Sequence, residues 1–128
     1  SGNISQVAKL AQLAEGCIDI YSGNDDQVVP LLSLGGKGVI SVTANIIPKD
    51  THDMVAKYLE GDVAGALELQ LKAIELCDAM LCEVNPIPVK KAVELAGLCN
   101  GYVRMPMTEA EPASVEKIKQ AMKNYGIL

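Results

Sequence analysis

Only two short stretches of this chain read as β-strands, they read as parallel, and no third follows them. Residues 17–21, Cys17-Ile18-Asp19-Ile20-Tyr21, are short and β-branched at alternate positions, and Ser22-Gly23-Asn24-Asp25-Asp26 ends them with turn formers. A helix is expected over 28–34. It carries Val28, Val29, Leu31, Leu32 and Leu34, with Pro30 in its first turn, where a missing N–H costs least, and Gly35-Gly36 at its end. Residues 37–43 then form the second strand, apolar on both faces apart from Ser41, as a parallel strand buried between layers should be. Short loops and this β-α-β order predict a right-handed crossover and adjacent parallel strands.

Two parallel strands do not make a stable sheet, because each leaves a row of unpaired backbone groups at its outer edge. The most economical completion is a closed barrel. The expected fold class is therefore α/β: the C-terminal portion of a (β/α)8 TIM barrel, its last two parallel strands with their helices, plus a C-terminal helical extension. Residues 1–61 would hold the last βα units and 62–128 the extension.

The remaining elements are helical. A helix is expected over 3–15, with Ile4, Val7, Ala8, Ala11 and Leu13 on one side and Gly16 as its stop. Another covers 54–59 and closes near Gly61. The longest, 63–81, has two apolar stripes: Val63, Leu67, Leu71, Ile74 and Leu81 on one, Leu69, Ala73, Leu76 and Met80 on the next. So wide a face predicts neighbours on two sides. Pro86 and Pro88 set an extended entry into a helix carrying Val89, Ala92, Val93 and Ala96, ended by Gly97. The last helix spans 113–125, and 102–107 should be an ordered, partly buried connector.

Composition narrows the function classes. Eleven Lys and Arg, scattered within a net charge of -5, lack the clustered basic face that nucleic acid requires. The same balance suits a cytoplasmic surface. Aromatic residues make up 3%, with no Trp or Phe, so the core must be aliphatic and methionine-rich. No apolar run approaches the roughly 20 residues of a membrane helix, and the first residues have neither the basic nor the apolar part of a signal peptide. The chain begins without Met, which points to a piece of a longer polypeptide or a processed product. Cys17, Cys77, Cys82 and Cys99 lack C-x-x-C pairing and read as reduced thiols. The single histidine, His52, stands far in sequence from all four, so no metal site is expected.

Several polar groups invite chemistry and have simpler explanations. Asn24, Asp25 and Asp26 precede an apolar helix, where capping and the helix dipole account for them. Lys37 would sit at the N-terminal end of its strand, the face of a barrel that serves stability. Gly35-Gly36-Lys37-Gly38 leads from helix into strand, the reverse of a phosphate-binding loop. Lys90 and Lys91 are expected to face solvent, and His52 has no catalytic partner.

Four motifs, in this order and at this spacing, resemble the dihydrodipicolinate synthases: IYSGNDD at 20–26, LGGKGVISVTAN at 34–45, NPIPVK at 85–90 and VRMPMT at 103–108. The likeness runs from Ser1 to Leu128. It implies a pyruvate-dependent Schiff-base lyase of lysine (diaminopimelate) biosynthesis. A lysine at the end of barrel strand six condenses with pyruvate, and the resulting enamine attacks aspartate semialdehyde. Only an unprotonated amine attacks a carbonyl, so this lysine must lose its proton near neutral pH.

In the family that lysine stands in a K-E-A/S-(S/T)-G-N context. Ser1-Gly2-Asn3 matches the end of it, which places the nucleophile before Ser1. The family's threonine, tyrosines and substrate-binding arginine also belong to earlier strands. No residue of this chain therefore inherits a catalytic role. Gly23 and Ile40 match positions that line the pyruvate site. Read without the resemblance, Gly23 is a tight turn needing positive φ, and Ile40 an ordinary strand core residue. The resemblance further implies a cytoplasmic homotetramer with no cofactor beyond the covalent pyruvate adduct, and a barrel completed by an N-terminal half of the same protein. The alternatives are a related lyase acting on sugar acids or sialic acid, or a non-catalytic module whose role is association.

Overall fold

The computed structural model describes residues 2–128. Ser1, which opens the Ser1-Gly2-Asn3 match, lies outside the described residues. Helix α1, Ile4–Ala14, is capped by Asn3, whose side chain accepts the Gln6 N–H at 3.1 Å. Strand β1, Tyr21–Ser22, and strand β2, Gly38–Val39, pair in parallel with Tyr21 opposite Gly38 and Ser22 opposite Val39. Helix α2, Val28–Ser33, crosses between them. Helices α3 (Pro48–Glu60), α4 (Val63–Met80), α5 (Ile87–Leu95) and α6 (Pro112–Tyr125) follow.

The β-α-β unit forms as expected, but both strands are shorter than their sequence patterns. Cys17 donates to the Ala14 carbonyl at 2.7 Å, so the start of the expected first strand is spent closing α1. Beyond Val39 the Ile40 N–H still reaches the Ser22 carbonyl at 2.8 Å, and then the chain turns into a single 3-10 turn, Thr43–Asn45. Those last expected strand positions offer their N–H groups to a side chain instead. Between α2 and β2 the backbone folds tightly on itself. A β-carbon at Gly36 would lie 2.9 Å from the Leu31 carbonyl oxygen, so only glycine fits there.

Helix α3 starts six residues earlier than its apolar pattern, at Pro48, which occupies the first turn, where no N–H is needed. Helix α5 likewise begins at Ile87, with Pro88 inside its first turn, and the expected extended entry is instead a turn in which the Ile87 N–H donates to the Val84 carbonyl at 3.0 Å. Helix α4 packs its second stripe, with Ala73, Leu76 and Met80 buried against α3 and α6. Its first stripe departs from expectation: Leu67 and Leu71 are 44% and 63% exposed, so among the described residues it lacks the neighbour expected on that side. The connector at 102–107 departs too. Tyr102 is 73% and Met105 92% exposed, because nothing described packs over them.

One core runs through the chain, from Val28, Val29 and Leu32 of α2 to Met54, Leu76, Met80, Ile118 and Met122 of the later helices. At its edge the Tyr125 hydroxyl donates to Asp50 at 2.6 Å, and the Lys72 ammonium lies 4.1 Å from the Tyr125 ring centre. That cluster ties α3, α4 and α6 together, and burial plus the Asp50 carboxylate push the Tyr125 phenol well above its ordinary value.

Candidate active site at the strand ends

Both strands end on the same side, and the residues after them form one wall of an open cleft of about 680 Å³. Gly23 and Ile40, the two positions singled out in the sequence, line it together. Asn45, Asn85 and Lys90 supply its polar groups. Ile40 is 74% exposed, so no described residue packs over it on the cleft side. Gly23 does not adopt positive φ, and a β-carbon built there would meet nothing within 4 Å. Turn strain is therefore not what calls for glycine here, and the absent side chain leaves the cleft open in front of the backbone.

The turn at Gly23 is folded by Ser22. Its buried hydroxyl donates to the Asn24 carbonyl at 2.8 Å and accepts the Asn24 N–H at 3.1 Å. Asn24 makes no capping hydrogen bond, contrary to expectation, while Asp25 and Asp26 stand in the first turn of the 3-10 segment Asp25–Gln27, where the helix dipole favours acids. Asp25 turns inward. Its Oδ2 accepts the Val42 N–H at 2.9 Å and the Thr43 N–H at 3.1 Å, which is what ends the second strand early. Ser41 then closes the next turn by accepting the Ala44 N–H at 2.8 Å.

Asn85 and Asn45 escaped the sequence reading, and so did the position of Lys90. Asn45 Nδ2 donates to the Val42 carbonyl at 2.8 Å, and Asn85 precedes the first turn of α5 through a cis bond to Pro86. Contrary to the expected solvent-facing pair, Lys90 is half-buried on the cleft wall and Lys91 is paired with Glu94. The NPIPVK motif carried this signal, since Asn and Lys five residues apart flank the start of one helix. Lys37 is exposed at the far end of β2, and His52 is exposed on α3 beside Asp53, 3.1 Å away. Among the described residues no three His, Cys, Asp or Glu side chains gather as metal ligands.

All four cysteines are free thiols. Burial, reinforced by the Asp25, Asp26 and Asp78 carboxylates, pushes the Cys77 thiol up to about 12, so it stays protonated and unreactive near neutral pH. Cys99 also lines the cleft, and its thiol donates to the Asn100 carbonyl at 3.1 Å.

Two parallel strands whose C-terminal ends open on a cleft, backed by helices, define a class: the closing part of a (β/α)8 barrel enzyme, followed by helices that cover its flank. The chain belongs to the dihydrodipicolinate synthetase family, whose model matches residues 1–125. It is 53% identical over 128 residues to the 4-hydroxy-tetrahydrodipicolinate synthase of Lachnoclostridium phytofermentans and 54% identical over 127 residues to that of Caldicellulosiruptor saccharolyticus. These matches cover 100% and 99% of the chain, and 44% and 43% of the two relatives, so the chain spans less than half of their length. The solved structure of the chloride-inhibited dihydrodipicolinate synthase from Acinetobacter baumannii, complexed with pyruvate, superposes with a TM-score of 0.95 at 35% identity, covering 100% of this chain and 44% of that one. The enzyme from Thermotoga maritima gives 0.92 at 36% identity, covering 98% and 44%.

Proposed function

We propose that this chain forms the closing part of a 4-hydroxy-tetrahydrodipicolinate synthase, which condenses pyruvate with aspartate semialdehyde toward lysine. The observation that carries the proposal is the meeting of Gly23 and Ile40 on one cleft wall at the strand ends. Residues 1–61 supply the last βα units of the barrel, and 62–128 the helical layer behind them. The Schiff-base lysine and the remaining catalytic groups come from the segment that completes the barrel.

In that role Gly23 admits the small keto acid close to the backbone, and Ile40 gives it an apolar flank that keeps water from the imine. Asn45 and Asn85 offer amide hydrogen bonds, and Lys90 a positive charge, across the cleft from the strand ends. The Cys77 thiol takes no part, being protonated and buried. The homotetramer implied by the resemblance is part of this reading, and the exposed Leu67 and Leu71 of α4 suit association with the segment that completes the barrel or with another subunit. No helix among the described residues is long and apolar enough to cross a membrane, consistent with a cytoplasmic enzyme.

The test is a turnover assay of the complete barrel polypeptide. Pyruvate with aspartate semialdehyde should be consumed at least roughly a hundredfold faster, in kcat/KM, than pyruvate with a sugar aldehyde or N-acetylmannosamine. The reverse preference would assign the chain to a sugar-acid or sialic-acid lyase.

A further inference from the structure

A buried hydrogen-bonded clasp stands directly behind the cleft wall. Asp25 is 6% and Gln70 of α4 3% exposed. The Asp25 carboxylate holds the Val42 and Thr43 amides at 2.9 and 3.1 Å, and its own carbonyl accepts Gln70 Nε2 at 2.8 Å. Gln70 Oε1 accepts the Val29 N–H at 3.0 Å, so both ends of the amide are used. Four hydrogen bonds thus join the loop after β1, the loop after β2, the start of α2 and the middle of α4.

Three observations indicate what the clasp does. The ladder between the strands is two residue pairs long, and past the Ile40 N–H to Ser22 carbonyl bond the loop after β2 is tied to the loop after β1 through Asp25. Those loops carry the wall, with Gly23 two residues before Asp25, and Ile40 and Ser41 just before the clasped Val42 amide. Finally, Asp25 is buried and spends both of its side-chain hydrogen bonds, through Oδ2, on the loop after β2, while Oδ1 has no partner among the described residues.

Building on the proposed pyruvate site, we propose that Asp25 and Gln70 are positioning residues that set the spacing of the Gly23 and Ile40 walls and so the affinity for the keto acid. The helical layer acts on the site through Gln70, the polar member of an otherwise apolar run of buried α4 residues, Ala66, Ala73, Leu76 and Cys77.

Asp25→Ala, Asp25→Asn and Gln70→Glu in the complete barrel polypeptide test this, read by steady-state kinetics and by amide exchange of the peptide holding Val42 and Thr43. Asp25→Ala should raise KM for pyruvate roughly tenfold while kcat holds within about twofold, since a displaced wall weakens binding of ground and transition states alike. Its Val42 and Thr43 amides should lose protection. Asp25→Asn keeps an acceptor oxygen and should restore both readouts. Gln70→Glu keeps the Val29 acceptor and loses the donor to Asp25. It should shift KM in the same direction, and it decides the matter should Asp25→Ala not fold. Retained protection in Asp25→Ala, or lost protection with KM unchanged, overturns the clasp. Absence of pyruvate turnover in the unaltered protein overturns the proposed function instead, and exchange at Val42 and Thr43 still judges whether the clasp exists.

Discussion

Gly23→Val should lower kcat/KM for pyruvate roughly a hundredfold in the complete barrel, while shifting its stability by no more than about 0.5 kcal/mol. The two effects separate because of the local geometry. Gly23 is exposed, outside the left-handed region, and faces open space, so the backbone accepts a side chain without strain or collision. That same space is the cleft shared with Ile40, Asn45 and Asn85. The added isopropyl group there occupies the volume a three-carbon keto acid needs. Kinetics and a thermal melt on one preparation check both halves of the expectation. An active variant would remove Gly23 from the site, and an unstable one would restore the turn explanation that its backbone angle argues against.

Leu76→Ala should destabilise the fold by about 2–5 kcal/mol, the range for deleting a fully buried leucine side chain. Leu76 lies on the buried stripe of α4 in the core that also holds Met54, Met80, Ile118 and Met122. Without Phe or Trp, this core has few large rigid groups to close a gap. Flexible methionines line the site and can relax partly into it, which argues for the middle of the range. Chemical denaturation at equilibrium gives the number. A loss under about 1 kcal/mol would mean that α4 is not clamped between α3 and α6 as described.

The parallel pair, the crossover and the helices were legible in the sequence because each rests on local chemistry. Gly35-Gly36 ends α2, Gly61 and Gly126 end α3 and α6 in left-handed caps, and the apolar spacing of Leu69, Ala73, Leu76 and Met80 marks the buried stripe of α4. Gly23 and Ile40 were found through the motif resemblance, and geometry brings them together. Contacts between residues distant in the chain were not legible. Asp25 reads as a helix cap, yet it binds amides 17 and 18 residues away. Gln70 binds 41 and 45 residues away. The lengths of the strands depended on those same contacts, since the amides of Val42 and Thr43 go to a carboxylate rather than to a neighbouring strand. Lys90 looks solvated from its helix alone, since the strand ends that face it lie more than 40 residues earlier in the chain. The start of α3 was missed for a simpler reason: Pro48-Lys49-Asp50 has helix-entry chemistry without an apolar period to announce it.

The proposal to be tested is that this chain builds the wall of a pyruvate site and does not supply the amine. The most direct test is to incubate the complete barrel polypeptide with pyruvate, reduce with borohydride and map the adduct by peptide mass. Reduction turns the imine into a stable secondary amine on whichever lysine formed it. The adduct is expected on a lysine that precedes Ser1, with every peptide of residues 1–128 unmodified. An adduct on a lysine of this chain, above all on Lys90 at the cleft, would contradict the account.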